Sequence, residues 1–341
     1  MTVEDKVKGS LFGLAFGDAY GAPTEFMSID EIISRWSIYG PLDLEGDPAC
    51  VTDDTQMAIA VANALISCKA NSLTPECLES ALRHSFIEWL NSPDNNRAPG
   101  MTCLTACEAL EVGKQWVEAT VKNSKGCGAN MRVTPVGLLQ VNGSNLADET
   151  CAAIAQFQAA LTHGHPTALA ASNLTAWATK YLLNQSNLNT FSKDLREYAI
   201  SQRHIYHAQW LGTLWQRPAV ESSQQFIARG WDEVLNVLDR LDAALQSPDY
   251  DADPCLATGA GWVAEEALVT GLLCFLLYSD RPKKALQRAA TTSGDSDSIA
   301  CLTGAFAGAY LGMSAWSEDW VSRIEYREQL ERLAIALTSR S

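Results

Sequence analysis

The chain has 341 residues, of which 47% are hydrophobic and 19% are charged, so it can form a large apolar core and is not expected to be disordered. Its net charge of -15 disfavours binding to nucleic-acid backbones and anionic membrane surfaces, and no local basic patch offsets it. The ten cysteines lie at irregular intervals without a C-x-x-C pair, which favours reduced thiols over a disulfide framework.

The N-terminal segment, "MTVEDKVKGSLFGLAFGDAYG", does not have the pattern of a signal peptide. Acids occupy its first turn, and Gly and Asp interrupt its apolar part. The longest apolar run, at 299–313, is shorter than a membrane-spanning helix requires. These features predict a cytoplasmic protein without a membrane segment.

Nearly every long segment repeats apolar residues at the helical period, and few segments alternate as strands do, so the sequence predicts an all-α fold. In chain order, the predicted helices cover residues 4–17, 28–36, 54–69, 74–91, 102–111, 130–140, 145–161, 167–183, 190–200, 223–246, 260–278, 283–290, 297–311 and 322–337. Segments rich in Gly, Pro, Asn and Asp predict loops at 37–52, 91–101, 120–129 and 247–259. None of these resembles an interdomain linker, so we expect residues 1–341 to form one compact domain.

Small residues recur at regular spacing in the last third of the chain. Gly304, Gly308 and Gly312 occupy every fourth position of the helix predicted at 297–311 and just beyond it. This spacing places them on one face, where the absence of a Cβ lets another backbone approach closely. The pattern therefore predicts a tight contact between two helices in the core.

Two stretches place acids and hydroxyls directly before an apolar helix, namely "VTDDTQMAIA" at 51–60 and "TTSGDSDSIA" at 291–300. Helix capping alone would explain each stretch, because such side chains satisfy amides at helix N-termini and the macrodipole favours negative charge there. If the two helices are neighbours, the carboxylates converge, and buried like charges are unfavourable unless cations lie between them. The four converging carboxylates would be those of Asp53, Asp54, Asp295 and Asp297.

The ligand types of this predicted site indicate which metals it would bind. Carboxylate and hydroxyl oxygens suit Mg²⁺, Mn²⁺ or Ca²⁺, whereas Zn²⁺ would be expected with Cys and His at spacings that the chain lacks. Six oxygen ligands exceed what one ion that is open to substrate would use, which favours two divalent cations. Two unrelated capped helices are the alternative at this point.

The chain resembles the ADP-ribosylglycohydrolases, a family that includes dinitrogenase reductase activating glycohydrolase and the ADP-ribosylarginine hydrolases. In the family's order and over almost the whole chain, the matching segments are "GSLFGLAFGDAYGAPTEF", "VTDDTQ", "CGANMRVTPVGL", "LTHGHPTALA" and "GDSDSIA". The resemblance implies the family's fold, an all-α, compact orthogonal multi-helix bundle, around a binuclear Mg²⁺ or Mn²⁺ centre. It also implies that the metal ligands are Thr52, Asp53, Asp54, Asp295, Asp297 and Ser298.

The resemblance further implies an enzyme that removes ADP-ribose from a modified side chain of a protein substrate. Arginine is the favoured acceptor, because "THGHPT" looks like the arginine-specific relatives, while serine, nucleic-acid and metabolite conjugates stay open. The motif glutamate falls on Glu25, which we expect to act as general base or proton shuttle, with Asp54 and Asp297 as catalytic ligands. An ordinary loop carboxylate is the alternative for Glu25.

A glycine-rich loop, "NSKGCGANMR", is the predicted site for the diphosphate of ADP-ribose. Backbone amides without a neighbouring Cβ can approach phosphate oxygens closely. The resemblance adds a histidine that contacts phosphate or ribose, for which a structural histidine is the alternative. The candidate substrate-binding residues are Ser124, Gly126, Gly128, Asn130 and His163. Cys127 stands where the family usually has asparagine.

Two other functions are compatible with the sequence. An immunity or regulatory protein could bind an ADP-ribosyltransferase toxin and neutralise it, with or without hydrolysis, because a fold does not determine a function. A neighbouring transferase gene would favour that role. A hydrolase for another ribosyl or nucleotide substrate is the third alternative. The "GAGWVA" segment at 259–264 matches a loose dinucleotide fingerprint, but no predicted strand precedes it, so we interpret it as a helix entry near the cleft.

Overall fold

The structure, a computed structural model, describes residues 1–69, 73–184 and 187–339. Within these residues nearly all regular secondary structure is helical, which confirms the predicted all-α class. The prediction of a single domain spans 1–341, of which residues 70–72, 185–186 and 340–341 lie outside the described part.

The first half of the chain contains α1 (Val3–Gly21), α2 (Ile29–Arg35), α3 (Asp53–Ser67), α4 (Pro75–Leu90), α5 (Met101–Glu111), α6 (Trp116–Ala119), α7 (Thr134–Leu138), β1 (Gln140–Val141), β2 (Ser144–Asn145) and α8 (Asp148–Ala160). The second half contains α9 (Pro166–Asn184), α10 (Phe191–Gln202), α11 (Ala208–Leu211), α12 (Ser223–Gln246), α13 (Pro254–Thr258), α14 (Ala264–Leu277), α15 (Pro282–Ala290), α16 (Ser296–Leu311), α17 (Glu318–Arg323) and α18 (Arg327–Thr338). The two short strands pair as an antiparallel hairpin.

The centre of the core is an antiparallel pair formed by α1 and α16. A Cβ added to Gly304 would lie 1.9 Å from the carbonyl oxygen of Gly13, and one added to Gly308 would lie 2.0 Å from that of Gly9. The two backbones are therefore in direct contact, as the spacing of small residues in α16 predicts. Helices α14 and α15 pack against the other sides of α16.

Replacement of Gly304 by alanine should destabilise this contact. The added methyl group cannot fit beside the Gly13 carbonyl without moving α1, and such overpacking costs about 1–3 kcal/mol in free energy of unfolding. Urea denaturation would measure the loss. Gly100→Ala is the matched control, since nothing lies within 4 Å of its added Cβ, and it should change stability by less than about 0.5 kcal/mol. Equal losses in the two variants would contradict the prediction.

The α1–α16 pair also determines where the site forms. Because the two helices are antiparallel, the C-terminal end of α1 lies beside the N-terminal end of α16. A Cβ on Gly21 would lie 2.4 Å from the Ser296 carbonyl oxygen. Helix α3 begins at the same place, with Thr52 as its N-cap. Two helix N-termini and one C-terminus thus meet around the acidic stretches.

Several predicted helix boundaries were wrong. The helix predicted at 130–140 is a 3-10 turn at Cys127–Ala129 followed by the short α7. The helix predicted at 322–337 is divided into α17 and α18, because Tyr326 adopts a left-handed backbone with φ 56°. Helix α14 begins at Ala264 instead of residue 260, since the preceding residues run beside the glycine-rich loop. Helices α6, α11 and α13 were not predicted.

One stretch of the described residues, Ser296–Ala315, is long and apolar enough to cross a membrane, with a mean hydropathy of 1.3. It comprises α16 and the 3-10 turn that follows it. Within the fold, 72% of this stretch is buried, and α1, α14 and α15 surround the helix. Such burial is typical of a core helix.

Candidate active site

A cavity of about 300 Å³ opens where α1, α3 and α16 meet. Its lining residues are Glu25, Phe26, Asp53, Asp54, Ala98, Gly100, Met101, Thr102, Cys103, Gly126, Cys127, Gly128, Met131, His163, Trp262, Asp295, Asp297 and Ser298. Most of the residues predicted from the acidic motifs and from the glycine-rich loop therefore face one space. Five carboxyl groups line the cavity, and no Lys or Arg is among its lining residues.

The tightest group of acids consists of Glu25, Asp295 and Asp297. Their nearest carboxylate oxygens all lie within 4.8 Å of one another, a spacing that one cation could bridge. Asp53 and Asp54 line the same cavity from the first turn of α3. The structure thus brings together acids that are more than two hundred residues apart in the sequence.

Burial and mutual repulsion raise the pKa of the carboxyl groups in this cluster. Burial, together with the charge of Asp297, raises the pKa of Asp53 to about 8 and that of Glu25 to about 10. The same two causes raise the pKa of Asp54 and Asp295 well above the usual range. A cation among these groups would favour their ionised forms and replace the bound protons.

The donor atoms fit a divalent cation. Asp54 is 2% exposed, and its Oδ2 is buried without a hydrogen-bond partner. An isolated buried carboxylate oxygen is costly, and metal coordination is one of the few ways to stabilise it. Carboxylate and hydroxyl oxygens are the ligands that hard divalent cations prefer.

Asp18 supports the centre from behind and was not predicted. It is fully buried in α1 and accepts hydrogen bonds from Thr52 and Thr55, including both of their backbone amides at 3.0 Å. The Thr52 hydroxyl, 2.8 Å from Asp18 Oδ1, also lies 3.3 Å from Asp297 Oδ2. Burial, and secondarily the charge of Asp297, raises the pKa of Asp18 to about 7. Asp18 therefore positions the start of α3 relative to α16.

The glycine-rich loop is held against the segment that precedes α14. Gly126 pairs with Val263 as an antiparallel bridge, and the Cys127 amide donates to the Trp262 carbonyl at 3.1 Å. The side chain of Lys125 bridges Glu265 of α14 and Glu233 of α12. The backbone of the predicted diphosphate loop is consequently fixed from both sides.

His163 lies directly under this loop and is 2% exposed. A Cβ on Gly128 would lie 3.0 Å from the imidazole, so glycine allows the loop to pack on the ring. Burial, with the nearby charge of Arg132, lowers the His163 pKa well below its usual value, which keeps the ring neutral. The Thr162 hydroxyl accepts from Arg132 and lies 2.7 Å from His163 Nδ1. The other ring nitrogen, Nε2, lies against the glycine loop.

Three predicted site residues do not line the cavity. Thr52 lies behind the acids and caps α3. Ser124 lies at the margin, with its hydroxyl 2.9 Å from that of the lining residue Thr102. Asn130 is fully buried, and its side-chain amide donates to the Ala264 carbonyl at 2.9 Å. In this structure, the side chain of Asn130 connects the loop to α14 and does not reach the cavity.

Two aromatic residues at the cavity mouth were missing from the predicted site. Phe26 and Trp262 are 71% and 44% exposed, and their rings stack with centroids 6.0 Å apart and planes 19° apart. Exposed, stacked aromatic rings beside a cavity are typical of a binding surface. The tryptophan lies in the "GAGWVA" segment, which does lie near the cleft as predicted.

Comparisons with known proteins identify the family of this chain. The family model for ADP-ribosylglycohydrolase matches residues 1–341. The chain belongs to the ADP-ribosylglycohydrolase family. Hydrolytic removal of ADP-ribose is the activity that this membership supports, and the acidic cluster is the part of the family fold that could bind its metal.

Curated relatives match this ADP-ribosylglycohydrolase over nearly its whole length. The ADP-ribosylarginine hydrolase Tri1 of Serratia proteamaculans is 26% identical over 97% of this chain and 78% of its own. The ADP-ribosyl-[dinitrogen reductase] glycohydrolase of Rhodospirillum rubrum is 24% identical over 97% and 94%. The ADP-ribosylhydrolase ARH3 of Bos taurus is 26% identical over 97% and 92%.

A solved structure described as an ADP-ribosylglycohydrolase-related protein complex has the same fold. It superposes with a TM-score of 0.66 and covers 99% of each chain at 21% sequence identity. This similarity confirms the predicted fold of the family.

Proposed function

We propose that this ADP-ribosylglycohydrolase cleaves the N-glycosidic bond between ADP-ribose and an arginine side chain, with two divalent cations, Mg²⁺ or Mn²⁺, at its centre. The observation that carries the proposal is the convergence of five carboxyl groups in one cavity beneath a glycine-rich loop. The acids supply a metal centre, and the loop supplies backbone amides for a diphosphate.

Glu25, Asp295 and Asp297 share the tightest part of the centre, with Asp53 and Asp54 beside them on α3. When bound, two divalent cations would orient the ribose hydroxyls and lower the pKa of a water molecule. The hydroxyl of Ser298 adds an oxygen donor to the same cavity wall. Asp18 maintains the geometry by holding the N-terminus of α3.

Glu25 is suited to proton transfer because groups around it can shift its pKa in either direction. Burial and the charges of Asp297 and Asp295 favour the protonated carboxyl, whereas a cation favours the carboxylate. A group that changes its protonation so readily can accept a proton from water and return it to the leaving nitrogen. His163 keeps a neutral ring, which allows Nε2 to donate a hydrogen bond to the phosphate or ribose without a change of charge.

The cavity mouth favours arginine as the acceptor. A guanidinium group is planar and cationic, so it stacks on aromatic faces and is attracted to carboxylates. Phe26 and Trp262 offer such faces beside the acidic cavity. The name of the relative from Serratia, an ADP-ribosylarginine hydrolase, agrees with this choice.

Incubation with ADP-ribosylated arginine and serine peptides tests the proposal. With Mg²⁺ or Mn²⁺ present, free ADP-ribose measured by mass spectrometry should appear from the arginine peptide at least about tenfold faster, a difference of about 1.4 kcal/mol in activation free energy. Chelation of the metal should stop the reaction, and added Mg²⁺ should restore it. Release from the serine peptide alone, or turnover that is insensitive to chelation, would contradict the proposal.

The expected partner is an ADP-ribosylated protein, and the expected location is the cytoplasm. Cys103, Cys107, Cys151, Cys274 and Cys301 are buried thiols outside any disulfide, which agrees with a reducing compartment. Binding to an ADP-ribosyltransferase, as an immunity protein would require, stays a prediction for which a transferase gene beside this one is the test.

A further inference from the structure

The thiol of Cys127 lies inside the acidic cavity. Its Sγ is 2.8 Å from Asp295 Oδ2, and Cys127 lines the cavity together with Asp54 and Asp297. The main chain at this position is fixed, because the Cys127 amide bonds to the Trp262 carbonyl and the residue opens the 3-10 turn. The sulfur is therefore held beside the candidate ligands.

A second feature of the cavity indicates that a cation can bind near this thiol. Asp54 Oδ2 is buried and has no hydrogen-bond partner, although Asp54 is only 2% exposed. Three donors on separate segments, namely a thiol and two carboxylates, thus border the same space. An oxygen left without a partner there is best satisfied by a cation.

The presence of sulfur changes which cations this space prefers. Thiolates select soft ions of the zinc and cadmium class, whereas Mg²⁺ prefers oxygen ligands. Sulfur and oxygen ligands of one tetrahedral Zn²⁺, at about 2.3 Å and 2.1 Å from the metal, lie roughly 3.6 Å apart. The observed separation of 2.8 Å would have to widen by less than about 1 Å, which a side-chain rotation can supply.

We propose that Cys127 gives this centre a thiophilic position, at which Zn²⁺ or Cd²⁺ binds between Cys127 Sγ and Asp295 Oδ2 with Asp54 as a further ligand. The inference rests on the proposed metal centre. As the metal–sulfur bond forms, the thiol proton leaves to solvent. An ion held by sulfur competes with Mg²⁺ for Asp295, so soft cations should inhibit hydrolysis.

Cadmium titration of the metal-free full-length protein tests this assignment. Formation of a cadmium–thiolate bond produces an ultraviolet charge-transfer band, which reports the sulfur ligand without any measurement of activity. The wild-type protein should show the band, and Cys127→Ser should lose one equivalent of it. Calorimetry should show at least about tenfold weaker Cd²⁺ binding at this position in Cys127→Ser, while Mg²⁺ binding persists.

Cys103→Ser is the matched control. Cys103 also lines the cavity, but its Sγ faces Arg132, whose Nη1 lies 3.6 Å away, so it should keep the wild-type band. An unchanged band in Cys127→Ser, or an equal loss in both variants, would overturn the inference. If the wild-type protein shows the cadmium–thiolate band but does not hydrolyse the arginine peptide, only the proposed reaction is rejected. If it hydrolyses the peptide but lacks the band, only the thiophilic position is rejected.

Discussion

Replacement of Asp297 by alanine should abolish divalent cation binding and hydrolysis together. Asp297 belongs to the tightest group of acids, and its Oδ2 also lies 3.3 Å from the Thr52 hydroxyl, so it links α16 to the start of α3. Loss of a charged group at the reacting centre should reduce kcat/KM by at least about 10³-fold. Calorimetric titration with Mn²⁺ and release of ADP-ribose from the arginine peptide would measure the two losses.

Two further measurements make this prediction specific to the metal site. Asp297 is a repulsive neighbour of the buried acids, so the metal-free variant should unfold at a higher temperature than the metal-free wild type. That result would exclude misfolding as the cause of inactivity. Asp251→Asn, which changes an exposed acid outside the cavity, should bind Mn²⁺ and turn over normally. Unchanged Mn²⁺ affinity in Asp297→Ala would refute the assigned metal ligand.

Helix positions are the part of this fold that the sequence predicts best, because burial periodicity and capping act locally. Helix α12 occupies the predicted residues 223–246, with Ser222 as its N-cap and one apolar face toward the core. Helix α16 begins one residue before its predicted start at 297. In both helices the apolar pattern and the capping residue that predict the helix lie within it or one residue outside it.

Segments whose conformation depends on distant partners were not predictable in this way. Residues 260–263 have a helical pattern, yet they are bent instead of helical, and Val263 pairs with Gly126 across more than a hundred residues of chain. Similarly, Tyr326 separates α17 from α18, next to Glu325, which forms an ion pair with Arg97. No local feature of the sequence encodes these pairings.

The candidate site likewise contains some residues that local sequence predicts and others that depend on distant partners. The acidic stretches stand out because each places two acids and neighbouring hydroxyls directly before an apolar helix. Asp18 is harder to recognise, because in the sequence it is only a single acid inside the apolar run of α1. Its role is clear only from the fold, in which the hydroxyls of Thr52 and Thr55 donate hydrogen bonds to it. Phe26 and Trp262 could have been found only as apolar residues next to predicted motifs, since their exposure is a property of the fold.

Replacement of Glu25 by glutamine should separate metal binding from turnover. Glutamine keeps the size of the side chain and one oxygen donor near Asp295 and Asp297, but it cannot accept and return a proton. We expect Mn²⁺ affinity close to that of the wild type and a kcat lower by about 10²–10⁴-fold, the usual contribution of general acid–base catalysis. Calorimetry and single-turnover release of ADP-ribose would measure the two quantities.

The control for this variant is Asp30→Asn, which removes an exposed carboxyl group five residues away and should leave both quantities unchanged. Full turnover by Glu25→Gln would remove Glu25 from proton transfer. A loss of Mn²⁺ affinity as large as that of Asp297→Ala would instead make Glu25 a ligand, a role that its place in the tightest group of acids allows. Because Asp297→Ala removes the ligand and Glu25→Gln removes only the proton acceptor, the pair of variants distinguishes the two roles within one cluster.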